Sequence, residues 1–355
     1  MSRNPAPKEI FDTPDLSFLQ SSPMERQYFE RKETPTREQA AQEGSDANAI
    51  LRRKLGDLQE KVKAALGGFA NSNKEPNGGL LEFESQIFVE FTKDELDTEL
   101  AEHFRQAVIE DQQLSLTTSL EDVLYNKGVI DRKDEKYFWT KAGYLFLSVN
   151  PRRRIAGAYI RLTKIEGRQA LAGERFIASL DKDFDGPLPR QITKTRVFLR
   201  QAAVFKTYEY RSKAGSLVKE PELPPAAWEE AIVNAVVHRS YALHTQPILV
   251  IKYTDCLTVE SPGSFVQPMP KAEFRVSEVP PGRSQPRNSK IMEWLRLMKD
   301  ERDEQYVKQW REGTKTIARA MREAGKPEPV YHTNSYVTLT LENDIDAVEA
   351  RIAAA

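Results

Sequence analysis

The 355-residue chain has a single cysteine, Cys256. One thiol excludes an intramolecular disulfide framework and a thiolate zinc site, and it suits a reducing compartment. Neither sign of charge is in excess, since 52 Lys and Arg face 53 Asp and Glu for a net charge of -1. No global field draws such a chain to nucleic acid, so any such binding has to use a local patch. Apolar runs fall short of the roughly 20 residues that cross a bilayer, and the N-terminal "MSRNPAPKEIFDTPDL" has no signal-peptide apolar core. Histidine is scarce too, and His103, His244 and His332 stand at no metal-ligand spacing. These absences predict a cytoplasmic protein with no membrane partner, long enough for about two domains.

What is present divides the chain into five stretches. Residues 1–22, with Pro, Ser and Asp but no periodicity, read as a flexible leader. Residues 23–125 open with a strand-like "RQYFERKE" and a helix from Ala47 to Ala70 that ends at "GGFANSNKEPNGG". "LLEFESQIFVEF" then alternates as a strand or hairpin does, and residues 94–125 look helical and acidic. Residues 126–215 hold a buried "AGYLFLSV" and a strand in "AGAYIRLTKI", separated by a basic turn, Arg152 to Arg154, that reads as solvated surface. A Gly-Pro turn feeds a helix in "DFDGPLPRQITKTRVFLRQAAVF". Residues 216–345 form an α/β layer, and 346–355 a tail. In that layer "ILVIKY" and "CLTVES" make a hairpin, "ERDEQYVKQWRE" reads as a charged helix with a solvated face, and "PVYH" and "SYVTLTLE" supply strands.

The stretch "WEEAIVNAVVHRSY" poses the sharpest question. Pro224 and Pro225 suit a first helical turn, and positions four apart drift by only about 40 degrees around a helix. Glu230, Asn234 and His238 therefore share one stripe of a helix that is otherwise Ala, Ile and Val. Buried polar groups need partners. Either a magnesium ion and a phosphate complete the stripe, or neighbouring loops do so with no further role. Downstream, Arg283, Arg287 and Asn288 precede a helix in a Gly- and Pro-rich loop, and Gly313, Thr314 and Lys315 open another. Both are arrangements that suit an anion. Cys256 sits in no basic or helix-terminal context, which speaks against a nucleophile.

The runs "EEAIVNAVVHRSY", "DCLTVESPGSF", "GRSQPRN" and "GTKTIARAMREAGKPEPVY" resemble the RecG-C-terminal-like branch of the GHKL ATP-binding superfamily, found in bacterial transcriptional regulators and helicase-like proteins. The N-terminal "MERQYFERKE" and "GGFANSNKEPNGGLL" are similar to a Schlafen AlbA-type domain, here abridged. The resemblance implies a multidomain α/β (α+β) protein. A Schlafen AlbA-like domain would span 23–125, a connector 126–215, and a Bergerat-like α/β sandwich 216–345. It implies ATP and Mg2+ as cofactors, Glu230 as general base and Asn234 as magnesium ligand. It places Gly263, Gly313 and Thr314 at the turns that touch the nucleotide; Arg283, Arg287 and Asn288 join the candidates from their loop, and His238 and Arg239 either join them or orient the helix and its following loop. DNA or RNA would be bound through the N-terminal domain, in a regulator that also forms a homodimer.

Two departures qualify that reading. Where the superfamily has an Asp-x-Gly-x-Gly turn whose Asp reads the adenine amino group, this chain has "ESPGSF", leaving Glu260 and Asp255 as candidates. "GTKTI" also carries fewer glycines than the last phosphate loop of the superfamily. Nucleotide binding is the expectation, with Mg-dependent hydrolysis weak at most. A second reading is a metal-dependent nuclease using Glu25 and Glu30 with Glu82 or Glu84 as the third acid. A third is a structural or dimerising module without catalysis.

Overall fold

The computed structural model describes residues 80–353 apart from 170–177, 202–203, 212–214, 267–268, 280–285, 301 and 308–312. All of these belong to one unit, Gly78–Ala355. The N-terminal leader, the helix expected at Ala47–Ala70, the Schlafen-like motifs, Glu25, Glu30 and Arg283 lie outside the described residues.

The chain enters through α1 (Leu80–Ser85) and β1 (Ile87–Glu90), so the alternation of "LLEFES" belongs to a helix and only "IFVE" to a strand. α2 (Thr98–Gln112) starts where Asp97 caps the amide of Leu100 at 3.1 Å and stops at Gln113, whose φ of +53° is left-handed. α3 (Leu120–Asn126) is capped by Ser119. β2 (Ile130–Lys133) and β3 (Lys136–Thr140) form a hairpin, and β1 joins it in a three-stranded antiparallel sheet of order β1-β3-β2. "KAGYLFL" is helix α4 (Lys141–Leu147), buried from Ala142 to Leu147. Gly143 is required there, because a Cβ would lie 2.7 Å from the Val129 carbonyl carbon.

The larger sheet has seven strands in the order β10-β11-β12-β9-β8-β4-β5. β4 (Ile160–Ile165) pairs antiparallel with β5 (Ala178–Phe184) and parallel with β8 (Ile248–Lys252), taking strands from both sides of residue 215. β9 (Cys256–Pro262) continues from β8 in the expected hairpin. β10 (Glu273–Arg275), β11 (Val330–Thr333) and β12 (Tyr336–Glu342) complete the sheet. A separate hairpin, β6 (Thr207–Arg211) with β7 (Leu217–Pro221), precedes the long helix. Helix α5 (Leu188–Leu199) packs on β4 and β5, and α6 (Pro225–His238) packs on β9. α7 (Ser289–Leu297), α8 (Gly313–Glu323) and α9 (Ile345–Ala353) finish the chain. Ile345–Ala353 is thus helix where the sequence reading has mostly tail.

One apolar core runs through both sheets, with Phe104, Phe146 and Trp294 joining α2, α4 and α7 edge to face or tilted. The charged run expected as a helix departs from that form in its described part. Lys299 and Gln305 form an isolated bridge, and Asp300 Oδ1 accepts the amides of Arg302 and Glu304, which turns the chain. Nor is its neighbourhood solvated, since Tyr306 and Val307 are buried and the Asp300 side chain is 5% exposed. Among the described residues no helix is long and apolar enough to cross a membrane.

Candidate functional site

Along α6 every residue from Ala227 to Val237 is buried except Glu230 and Asn234, and those two share the half-buried class with His238 one turn on. The polar stripe read from the sequence is therefore the one face of the helix that is not packed. It opens onto a cavity of about 110 Å³ lined by Glu230, Asn234, His238, Ser261, Phe265 and Tyr331, among others. The rest of the lining is mostly apolar, as small-molecule pockets are.

The two ends of this stripe meet different elements. At the Glu230 end stands the start of α8. A Cβ at position 313 would collide with Glu230 Oε1 and come within 2.9 Å of Asn234 Nδ2. Gly313 is thus the residue that lets the helix start approach the acid and the amide. Gly313 and Thr314 both line the cavity. Residues 300–306, on the way to α8, are tied back to the helices through Glu229, Arg196 and Thr193. Arg302 reaches Glu229 at 3.3 Å and Asp300 at 3.0 Å, Arg200 pairs with Glu229, and Arg196 donates to the Glu229 carbonyl.

At the His238 end the last four carbonyls of α6, which no helical amide can reach, are taken up by side chains. Ser261 Oγ donates to Ala235 O at 2.8 Å and Tyr241 Oη to Val236 O at 3.2 Å. Asn288 Nδ2 donates to Val237 O at 2.9 Å, and Arg287 Nε donates to His238 O at 3.1 Å. Asn288 Nδ2 also reaches Arg239 O, and an Arg287 terminal nitrogen reaches Ser264 O at 2.8 Å. Arg239 is buried, stacks over Tyr241 at 4.5 Å and donates to the Gln246 carbonyl. Gly263, with φ of +109°, lets β9 turn against this helix end, because a Cβ there would lie 2.8 Å from Ser240 Cβ. Burial, with the Arg287 charge beside it, pushes the His238 imidazole down to about 4, so the ring is neutral at ordinary pH.

Of the residues singled out from the sequence, Glu230, Asn234, His238, Gly313 and Thr314 come together on one cavity. Arg239, Arg287, Asn288 and Gly263 build the helix end behind it. Neither Glu260 nor Asp255 lines the cavity; Asp255 accepts the Gln169 amide, and burial raises the Glu260 carboxyl. Ser261 is the residue that sequence reading passes over. It stands two places before Gly263, where an Asp-x-Gly turn carries its acid. Cys256 is buried and its thiol is pushed up to about 12 by burial, as a non-nucleophile requires.

The nuclease acids fare differently. The Glu82 side chain lies outside the described residues, whereas Glu84 is fully buried and holds the start of α7. Its carboxylate accepts from the amides of Lys290 at 3.2 Å and Ile291 at 3.0 Å and from the Ser289 hydroxyl at 3.2 Å. Among the described residues no three His, Cys, Asp or Glu side chains gather as metal ligands.

Residues 245–341 match the family model described as "Putative ATP-dependent DNA helicase recG C-terminal". The match covers β8 to β12 with α7 and α8, an ATPase-like domain, and stops short of α6. Among solved structures the DIP2311 protein from Corynebacterium diphtheriae is similar at a TM-score of 0.51 and 19% identity, over 73% of this chain and 47% of that one. The chain thus spans about half the length of that structure, and at this identity the likeness is one of fold. No curated protein matches the chain.

Proposed function

We propose that the cavity between α6, β9, β11, β12 and the start of α8 binds ATP with Mg2+, in a protein that acts as a nucleic-acid-associated regulator. The observation that carries this reading is the meeting of Glu230, Asn234 and Gly313 at one end of an otherwise apolar cavity. The donor set suits magnesium held jointly with phosphate. Mg2+ takes one or two protein oxygens and fills its remaining positions with phosphate and water, so a dedicated cluster of acids is not needed. The Asn234 amide oxygen would supply the protein ligand. The start of α8 would face the phosphates, where the helix dipole favours negative charge. Glu230 stands where a carboxylate can orient a water and take its proton. Bound magnesium would supply charge neutralisation of the phosphates. The similarity of residues 245–341 to a DNA helicase region supports a nucleic-acid partner.

The test is calorimetric titration of Mg-ATP into the wild-type chain and into Asn234→Ala, with EDTA as control. Saturable binding that weakens at least tenfold in the variant and with EDTA is expected. Equal affinities for the two proteins would remove the proposed site.

A further inference from the structure

The ATP reading does not say how strictly the cavity selects adenine, and the two ends of the α6 stripe supply an answer. Glu230 and His238 stand eight residues apart, about 12 Å along a helix. The start of α8 lies at the Glu230 end, so phosphates belong there. The base is then carried toward the His238 end, over a floor of Val259, Tyr331, Val337 and Leu339. Ser261 lines that end, with its side chain on the α6 side of β9.

Resting on that reading, we propose that Ser261 sets base selectivity, and that the site separates 6-amino from 6-oxo purine nucleotides only weakly, binding ATP and GTP within about an order of magnitude. The Ser261 hydroxyl has one proton, and it is committed to the Ala235 carbonyl. Its lone pairs remain for a donor, which matches the amino group of adenine. The acceptor is neutral, and a neutral hydrogen bond contributes about tenfold in affinity or less. A hydroxyl can also turn, giving up one carbonyl to donate to a 6-oxo group, whereas a carboxylate can only accept. A site whose sole reader is an acceptor-only acid rejects the oxo base far more strongly, because the acid is left facing another acceptor.

The experiment titrates Mg-ATP and Mg-GTP separately into wild type, Ser261→Ala, Ser261→Thr and Ser261→Asp, each first checked for cooperative unfolding. Expected is an ATP preference of about three- to tenfold in wild type, kept by Ser261→Thr, which retains the hydroxyl if Ser261→Ala fails to fold. Ser261→Ala should level the preference, and Ser261→Asp should raise it to about a hundredfold or more. A wild-type preference above about a hundredfold, or a preference that Ser261→Asp leaves unchanged, overturns the proposal while ATP binding stands. A wild-type chain that binds neither nucleotide sinks the nucleotide reading itself, and this inference with it.

Discussion

The two ends of helix α6 carry polar residues of the same kinds and use them in opposite ways. At the C-terminal end, Ser261, Tyr241, Asn288 and Arg287 donate to the carbonyls of Ala235 to His238. Toward the middle, Glu230 and Asn234 face a cavity and the start of α8. The neighbouring acids Glu229 and Glu230 repeat the contrast in one step of sequence. Glu229 is buried against Arg200 and Arg302, while Glu230 lines the cavity. A polar side chain in an apolar helix therefore needs a partner, and only its surroundings say whether that partner is backbone, a counter-charge or a ligand.

The largest test of this contrast pairs Arg287→Ala with Asn234→Ala. The first strips a buried cation from two carbonyls and should cost about 3 kcal/mol of folding free energy. The second removes a half-buried amide beside a cavity and should cost on the order of 1 kcal/mol or less, while weakening Mg-ATP binding. Urea unfolding measures both, and equal losses would erase the distinction between the two ends. Glu84→Ala comes next. It leaves the amides of Lys290 and Ile291 at the start of α7 without their acceptor, and about 2 kcal/mol should be lost, with no change in nucleotide affinity. A variant as stable as wild type would show that water replaces the carboxylate.

How far these roles can be read from sequence depends on the range of the forces involved. The stripe of α6 follows from helical spacing alone, the hairpin β8–β9 from two apolar runs about a turn, and the start of α8 from its Gly-Thr-Lys. Arg287 and Asn288 carry an ambiguity that local pattern does not resolve, because a basic, amide-bearing loop before a helix looks alike whether it grips a phosphate or a helix end some 50 residues earlier. Glu84 reads as a surface acid on a strand, since its partners at 289–291 lie about two hundred residues away. Residues 302–307 show helix-like charge, yet Asp300 diverts them by capping its own turn. Ser261 could have been found from its place two residues before Gly263, but a neutral residue draws no attention where an acid is sought.

Gly313→Ala probes the close approach itself. One methyl group would collide with the Glu230 carboxylate and crowd the Asn234 amide, so either the helix start or the acid must shift. The atoms met are the ends of two side chains that can turn aside, so folding should lose about 1 kcal/mol or less, while the displaced carboxylate and amide should weaken Mg-ATP binding as much as Asn234→Ala does. A variant with wild-type affinity would show that the approach of α8 to the stripe plays no part in binding.

The last effect, one of pH, belongs to His238, which stands at the junction of the two regions. Its folded pKa is lowered to about 4 from an ordinary 6.5, by burial and by Arg287. The sign follows directly, because the unfolded chain takes up a proton in this range that the folded one refuses. The contribution is fully present above pH 6.5 and is lost as the pH falls from there toward 4. Since the ring is half-buried and faces the cavity, we expect a loss on the order of 1–2 kcal/mol across that window. Urea midpoints at pH 7 and pH 4.5 for wild type and His238→Gln isolate it from the carboxylates, which titrate alike in both proteins. The wild type should lose more stability on acidification than the variant; parallel losses would mean that the imidazole is solvated through the cavity and belongs with Glu230 and Asn234 rather than with the sealed helix end.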